Sequence, residues 1–162
     1  MQLGHDYLKL FYVAVFIVGL FEEGFKFIFL RVLYNNKNFN EPFDGIIYGG
    51  FIGLGFASIE NFEYVAQGGK TVAIVRMFTA VPFHACLGMV LGYYLGKAKF
   101  PSSLKPNKTI TIIKGFCLVV LLHGLYDYFI FTEDDTVVSV DGYASIGIDI
   151  FNKTENCGFV AY

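Results

Sequence analysis

Eight ionisable or imidazole side chains interrupt stretches that would otherwise suit lipid: Glu22, Glu23, Lys26, Glu60, Arg76, His84, His123 and Asp127. On insertion scales each charge at mid-membrane costs about 2.5–3.5 kcal/mol, and residues retained there are usually functional. Their spacing carries information. Glu22 and Lys26 are i, i+4 and can pair on one helix face, whereas Glu23 is rotated by about 100° and stays free for another task. His123 and Asp127 are also i, i+4, and a carboxylate beside an imidazole fixes its tautomer and raises its basicity. Glutamates and histidines gathered in this way can activate a water molecule by two routes. Two His and one Glu make a zinc-type ligand shell with an open position for water. Without a metal, a glutamate takes the proton while His and Asp groups stabilise the developing oxyanion. Both routes lead to hydrolysis of a peptide bond inside the membrane. Other signatures of that chemistry do not occur: there is no H-E-x-x-H, G-x-S-G or G-x-G-D, and Ser58 in GFASIENF is not on a nucleophile elbow.

The elements that must carry these groups are membrane helices. The 162 residues favour one domain. The chain is 55% hydrophobic and only 16% charged, against about 25% charged in a soluble domain, and the deficit points to membrane. A formal net charge of -2 gives no sign of nucleic acid or of a strongly charged partner. Apolar windows near the length needed to cross a bilayer, about 20 residues, recur at 8–31, 44–66, 71–96 and 109–131. The expected fold is all-α: a polytopic transmembrane bundle of about four spans over residues 1–131. A polar tail at 132–162 follows, disordered or a small hairpin. Pro42, Pro101 and Pro106 fall in the polar connectors, while Pro82 lies inside the third span and should kink it just before His84. Arg31, Lys37, Lys97, Lys99, Lys105 and Lys108 gather on one side, and Lys9, Lys70 and Lys153 on the other. The positive-inside rule then makes the first and third loops cytoplasmic and places the N-terminus and tail outside a cell membrane. The opening run lacks a basic n-region and a small-residue cleavage site, so it reads as a span rather than a signal peptide. Cys86 and Cys117 lie in apolar runs and are expected to be packing residues. Asn152-Lys-Thr matches a glycosylation acceptor, relevant only in a secretory eukaryotic setting.

Small residues recur every four positions at Gly45, Gly49, Gly53 and Ala57, and again at Ala80, Gly88, Gly92 and Gly96 with His84 in the same register. Such stripes let helix backbones approach closely in lipid. They also turn His84 into the bundle and bring Glu60 and Asn61 close to the same seam. At 1.5 Å per residue, Glu22, Glu23 and His84 sit about 20 Å from the outer ends of their spans, His123 about 12 Å and Glu60 about 9 Å. Adjacent helices pack about 8–10 Å apart, so the side chains can converge on one polar cavity.

The order E-E-x-x-K (Glu22, Glu23, Lys26), D-G-I-I-Y-G…G-F-A-x-x-E-N (Asp44 to Asn61), R…P-x-H (Arg76, Pro82, His84) and L-H-G-L-Y-D (Leu122 to Asp127) resembles the PrsW family. These are bacterial and archaeal multi-pass membrane proteases related to the type II CAAX prenyl endopeptidases. The resemblance covers about residues 20–130. It implies that Glu22, Glu23, Glu60, His84 and His123 bear on activity, and that the substrate is a membrane-anchored protein such as an anti-sigma factor. It also implies further membrane helices around this core. The expected catalytic groups are Glu22, Glu23, His84 and His123, supported by Lys26, Glu60, Asn61, Arg76 and Asp127. In the metal route Glu60, His84 and His123 are the expected ligands of a divalent ion such as zinc.

Two rival classes share these features. Mid-membrane Glu, His and Asp also build proton relays and cation pathways in transporters, although no repeat links the first two spans to the last two. A catalytically inactive membrane-protein binder would use the same groove to hold a partner helix. Cleavage of a membrane-anchored substrate separates these classes.

Overall fold

The computed structural model of the chain describes residues 7–101 and 107–133. Every element among them is helical: α1 (Tyr7–Tyr12), a π-helical segment (Val13–Gly19), α2 (Leu20–Leu33), α3 (Pro42–Phe78), α4 (Ala80–Lys99) and α5 (Lys108–Glu133). The expected tail from 134 onward, with Asn152, lies outside the described residues.

Local sequence explains where the helices begin and end. α3 starts with a capping box: Pro42 occupies the first turn, and Asp44 Oδ2 accepts from the Asn40 and Glu41 backbone N–H groups at 2.8 and 3.0 Å. α5 is capped by Asn107, whose Oδ1 accepts from the Ile110 N–H at 3.2 Å. α4 stops at Lys99 because Pro101 drives Phe100 out of the helical region, to φ -117° and ψ 74°.

Among the described residues, three stretches are long and apolar enough to cross a membrane: Pro42–Val65, Lys70–Lys99 and Lys108–Ile130. The first helical run is divided by its π-helical segment, and no piece of it reaches that length alone. It is nevertheless the fourth member of the bundle. Close packing seats it on α5, where a side chain added at Gly19 would press on the Val120 carbonyl and the Gly124 N–H, at 3.1 and 3.2 Å.

α3 is not a straight rod. At 1.5 Å per residue it would be about 55 Å long, far beyond a hydrocarbon core of about 30 Å. Its contacts run antiparallel instead. A Cβ on Gly45 would strike the Gly92 carbonyl, one on Gly49 the Gly88 carbonyl, and one on Gly53 the His84 carbonyl. Asn61 Nδ2 donates to the Ala73 carbonyl at 3.5 Å, so the chain turns back between those two residues. The two small-residue stripes therefore face each other, backbone against backbone, and the turn lies in the interval that contains the polar AQGGK connector.

Pro82 acts one turn earlier than expected. Helical geometry breaks at Thr79, with φ -114° and ψ -74°. A proline cannot donate to the carbonyl four residues back and crowds it, so the break falls beside Phe78 rather than at His84. Cys86 and Cys117 are exposed on the outside of the bundle rather than packed within it.

The apolar core comprises Leu30, Leu87, Leu91, Leu95 and Val119, flanked by Phe27, Tyr48, Ile52 and Phe116. At one end Lys99 ties the first loop down by donating to the carbonyls of Tyr34 and of Phe39, the latter at 2.7 Å. The outward surface is apolar: on α2, Phe21, Phe25, Ile28, Phe29 and Val32 are all exposed. That surface suits lipid, and packing contacts rather than water exclusion hold such helices together.

Candidate active site

One turn along three helices, the core changes from apolar to polar. Leu30 gives way to Lys26 on α2, Leu87 to His84 on α4, and Val119 to His123 on α5. The same inward faces that pack leucine at one level converge ionisable groups at the next. α2 adds Glu22 and Glu23, the two limbs of α3 add Glu60 and Arg76, and α5 adds Asp127.

The cluster has a sealed floor and a partly open mouth. On the floor, Glu23, Lys26, His84 and His123 are at most 2% exposed. Lys26 Nζ donates to Glu23 Oε1 at 2.6 Å and meets His84 Nδ1 at 2.7 Å. It also lies 4.9 Å from the centre of the Phe56 ring, which stacks on His84. Glu23 Oε1 is shared with His123 Nδ1, 2.8 Å away. The two imidazoles stand edge to face, 4.9 Å between centroids, and Phe83 packs against His123 and Tyr126.

At the mouth, Glu22, Glu60, Arg76 and Asp127 keep side-chain exposures of 14–19%. Arg76 Nη2 pairs with Glu60 Oε1 at 2.9 Å, and its guanidinium lies 3.7 Å from the Tyr64 ring centre. Glu60 Oε2 reaches 3.0 Å from His84 Nε2, at an angle that makes no hydrogen bond. Glu22 Oε2 lies 3.5 Å from His123 Nε2 and 3.9 Å from His84 Nδ1. Asp127 Oδ2 lies 3.4 Å from His123 Nε2. Each of the four carboxylates has a buried oxygen with no hydrogen-bond partner: Glu22 Oε2, Glu23 Oε2, Glu60 Oε2 and Asp127 Oδ2. Buried polar atoms are nearly always paired, and an exception calls for an explanation such as catalysis or a bound water or ion.

The structure brings together eight of the nine residues singled out in the sequence, with different pairings. Lys26 pairs with Glu23, not Glu22, and Glu22 turns toward the two histidines instead. Asn61 stands apart, spanning the α3 turn to Ala73. The side chains that could hold a metal together are Glu22, His84 and His123, whose donor atoms all lie within 4.8 Å of one another. Glu60, the carboxylate expected in that set, keeps Oε1 on Arg76 and has Oε2 3.0 Å from His84 Nε2. One carboxylate and two imidazoles beside an unpartnered carboxylate oxygen fit a divalent cation such as zinc. Sequence reasoning missed Phe56 and Phe83, the aromatic walls of the histidines; Phe83 adjoins His84, and nothing in its spacing marks it out.

Residues 2–151 match the family described as PrsW family intramembrane metalloprotease. The chain is 42% identical over 124 residues to "Protease PrsW" of Oceanobacillus iheyensis, covering 76% of this chain and 56% of that protein. It is 39% identical over 119 residues to "Protease PrsW" of Bacillus subtilis, covering 73% and 54%. Against the protein of that name from Clostridioides difficile it is 36% identical over 132 residues, covering 78% and 55%. The chain thus spans about half the length of the curated relatives it matches. No solved structure matches it.

Proposed function

The chain belongs to the PrsW family of intramembrane metalloproteases, and from that membership we propose that its polar cluster is the peptide-cleaving centre of an intramembrane endopeptidase. The observation that carries this reading is the buried, unpartnered Glu22 Oε2, aimed at His123 Nε2 beside Asp127 at the open side of the cluster. Glu22 takes a proton from water as the water oxygen attacks the scissile carbonyl carbon. It returns that proton to the amine nitrogen as the C–N bond breaks, leaving a carboxyl and an amine terminus. Glu23 holds the His123 ring through Nδ1, so that Nε2 faces the reacting atoms. Arg76 keeps Glu60 in place, and together with Lys26 offsets the negative charge of four carboxylates in a low-dielectric site.

Glu22, His84 and His123 would hold a divalent metal. When bound, such a metal polarises the carbonyl and acidifies the attacking water. A carboxylate has two oxygens, so Glu22 can offer one to the ion and keep the other for the proton. Family membership supports a membrane-anchored substrate, and the proposed class is a single-span, anti-sigma-factor-like protein. Lys and Arg placement supports cytoplasmic first and third loops.

The test is reconstitution of the purified chain in liposomes with a single-span reporter protein. Cleavage of the reporter without ion flux is the expected result. Ion flux without cleavage would replace this reading with the transporter class, and binding without either would replace it with the inactive binder.

A further inference from the structure

The hydrogen-bond directions within the cluster are not symmetric. A lysine ammonium has three donors and no acceptor, and an ionised carboxylate only accepts. Lys26 Nζ lies 2.7 Å from His84 Nδ1, so that nitrogen accepts and the ring hydrogen sits on Nε2, the nitrogen 3.0 Å from Glu60 Oε2. Glu23 Oε1 lies 2.8 Å from His123 Nδ1, so that nitrogen donates, and in the neutral ring the lone pair sits on Nε2, beside Glu22 and Asp127. The two histidines hold opposite tautomers. His123 offers its free lone pair to the mouth. His84 has its only lone pair covered by Lys26, on the one ring nitrogen that lies within 4 Å of Glu22.

We propose that Lys26 is a positioning residue that holds His84 in the Nε2–H tautomer and competes with a divalent cation for His84 Nδ1. The ammonium is completely buried, and Glu23 and the Phe56 ring hold it against His84. A cation that takes His84 Nδ1 must push this ammonium aside, whereas one held by Glu22 and His123 alone meets no such obstacle. Lys26 thereby keeps His84 oriented when no cation is present and weakens cation binding by the full three-residue set. The inference rests on the peptidase reading only for its consequence, because neither measurement below uses a substrate.

The first measurement is nitrogen-15 NMR of the histidine rings in metal-free wild-type protein in detergent. It should show His84 with hydrogen on Nε2 and His123 with hydrogen on Nδ1. Hydrogen on Nδ1 of His84 overturns the proposal, and no variant is needed to see it. The second is titration with cobalt(II), read by its visible spectrum, for wild type, Lys26→Met, His84→Ala and the double variant. Lys26→Met should bind cobalt(II) about tenfold tighter and shift the spectrum, and Lys26→Arg, which keeps the donors, should not. In the His84→Ala background the gain from Lys26→Met should vanish. A gain that persists there would reduce Lys26 to a general counter-charge and overturn the proposal. The expected tautomers in a protein that cleaves no single-span reporter would instead count against the peptidase reading alone.

Discussion

Glu22 and Glu23 are chain neighbours in opposite surroundings. Glu23 is sealed, its Oε1 shared between Lys26 and His123, whereas Glu22 is partly exposed and its Oε2 lies beside His123 Nε2 at the mouth. Glu23→Gln removes the charge that compensates Lys26. Breaking a buried ion pair from one side costs about 3–5 kcal/mol, so the thermal midpoint in detergent should fall markedly along with any cleavage. An unchanged midpoint would contradict the structural role given to Glu23. Asn61→Ala, by contrast, should leave cleavage of a single-span reporter near the wild-type rate, because Asn61 bonds to the α3 turn rather than the cluster; a large loss would place it in the site. The sequence exposed the members of this cluster because each is a charge or imidazole in an apolar run. It did not expose their pairing. Positions i+3 and i+4 share a helix face, and the choice of Glu23 over Glu22 for Lys26 depends on His84 and His123 arriving from α4 and α5. The Arg76–Glu60 pair has the same origin, since it forms only when the chain turns back within α3.

Between elements, the decisive contact is the seam where α3 folds against itself and α4. Gly88→Val would drive its side chain into the Gly49 carbonyl, a backbone atom that cannot swing away. Overpacking of this kind costs about 1–3 kcal/mol, and the histidine it would displace is only one turn distant. Lower folded yield and a lower thermal midpoint are the expected results; wild-type behaviour would show that the helices do not meet there. Gly55→Ala makes the opposite case. Nothing lies within 4 Å of its new carbon, and helix propensity favours Ala by at most about 1 kcal/mol, so the midpoint should hold or rise slightly. The seam was legible because a four-residue small stripe is a direct imprint of close helix packing. The π-helical segment was not, since no residue between Val13 and Gly19 signals it. It lies in the turns before Glu22 and Glu23, where the run presses on α5 through Gly19 and Gly124. Such segments recur at functional sites.

As a whole, the molecule is a helical bundle with a polar heart and an apolar surface, matching about half the length of its named relatives. Hydropathy located the crossings because lipid tolerates few alternatives, and the described residues give only three that qualify on their own. The first run fell short because it carries the π segment and the site's own charges. If the Glu22, His84 and His123 group holds a metal, zinc-equilibrated and dialysed protein should retain about one ion per chain, and His123→Ala should lose it by elemental analysis. Retention by that variant would remove His123 from the ligand set. The central claim is that Glu22 moves the proton. Its most direct test is single-span reporter cleavage by Glu22→Gln beside wild type, with folded protein quantified in both. Glutamine keeps the shape of the side chain and removes the base. The expected result is a normal thermal midpoint and a loss of at least about 10²-fold in cleavage rate. A folded Glu22→Gln protein that cleaves at the wild-type rate would contradict the claim.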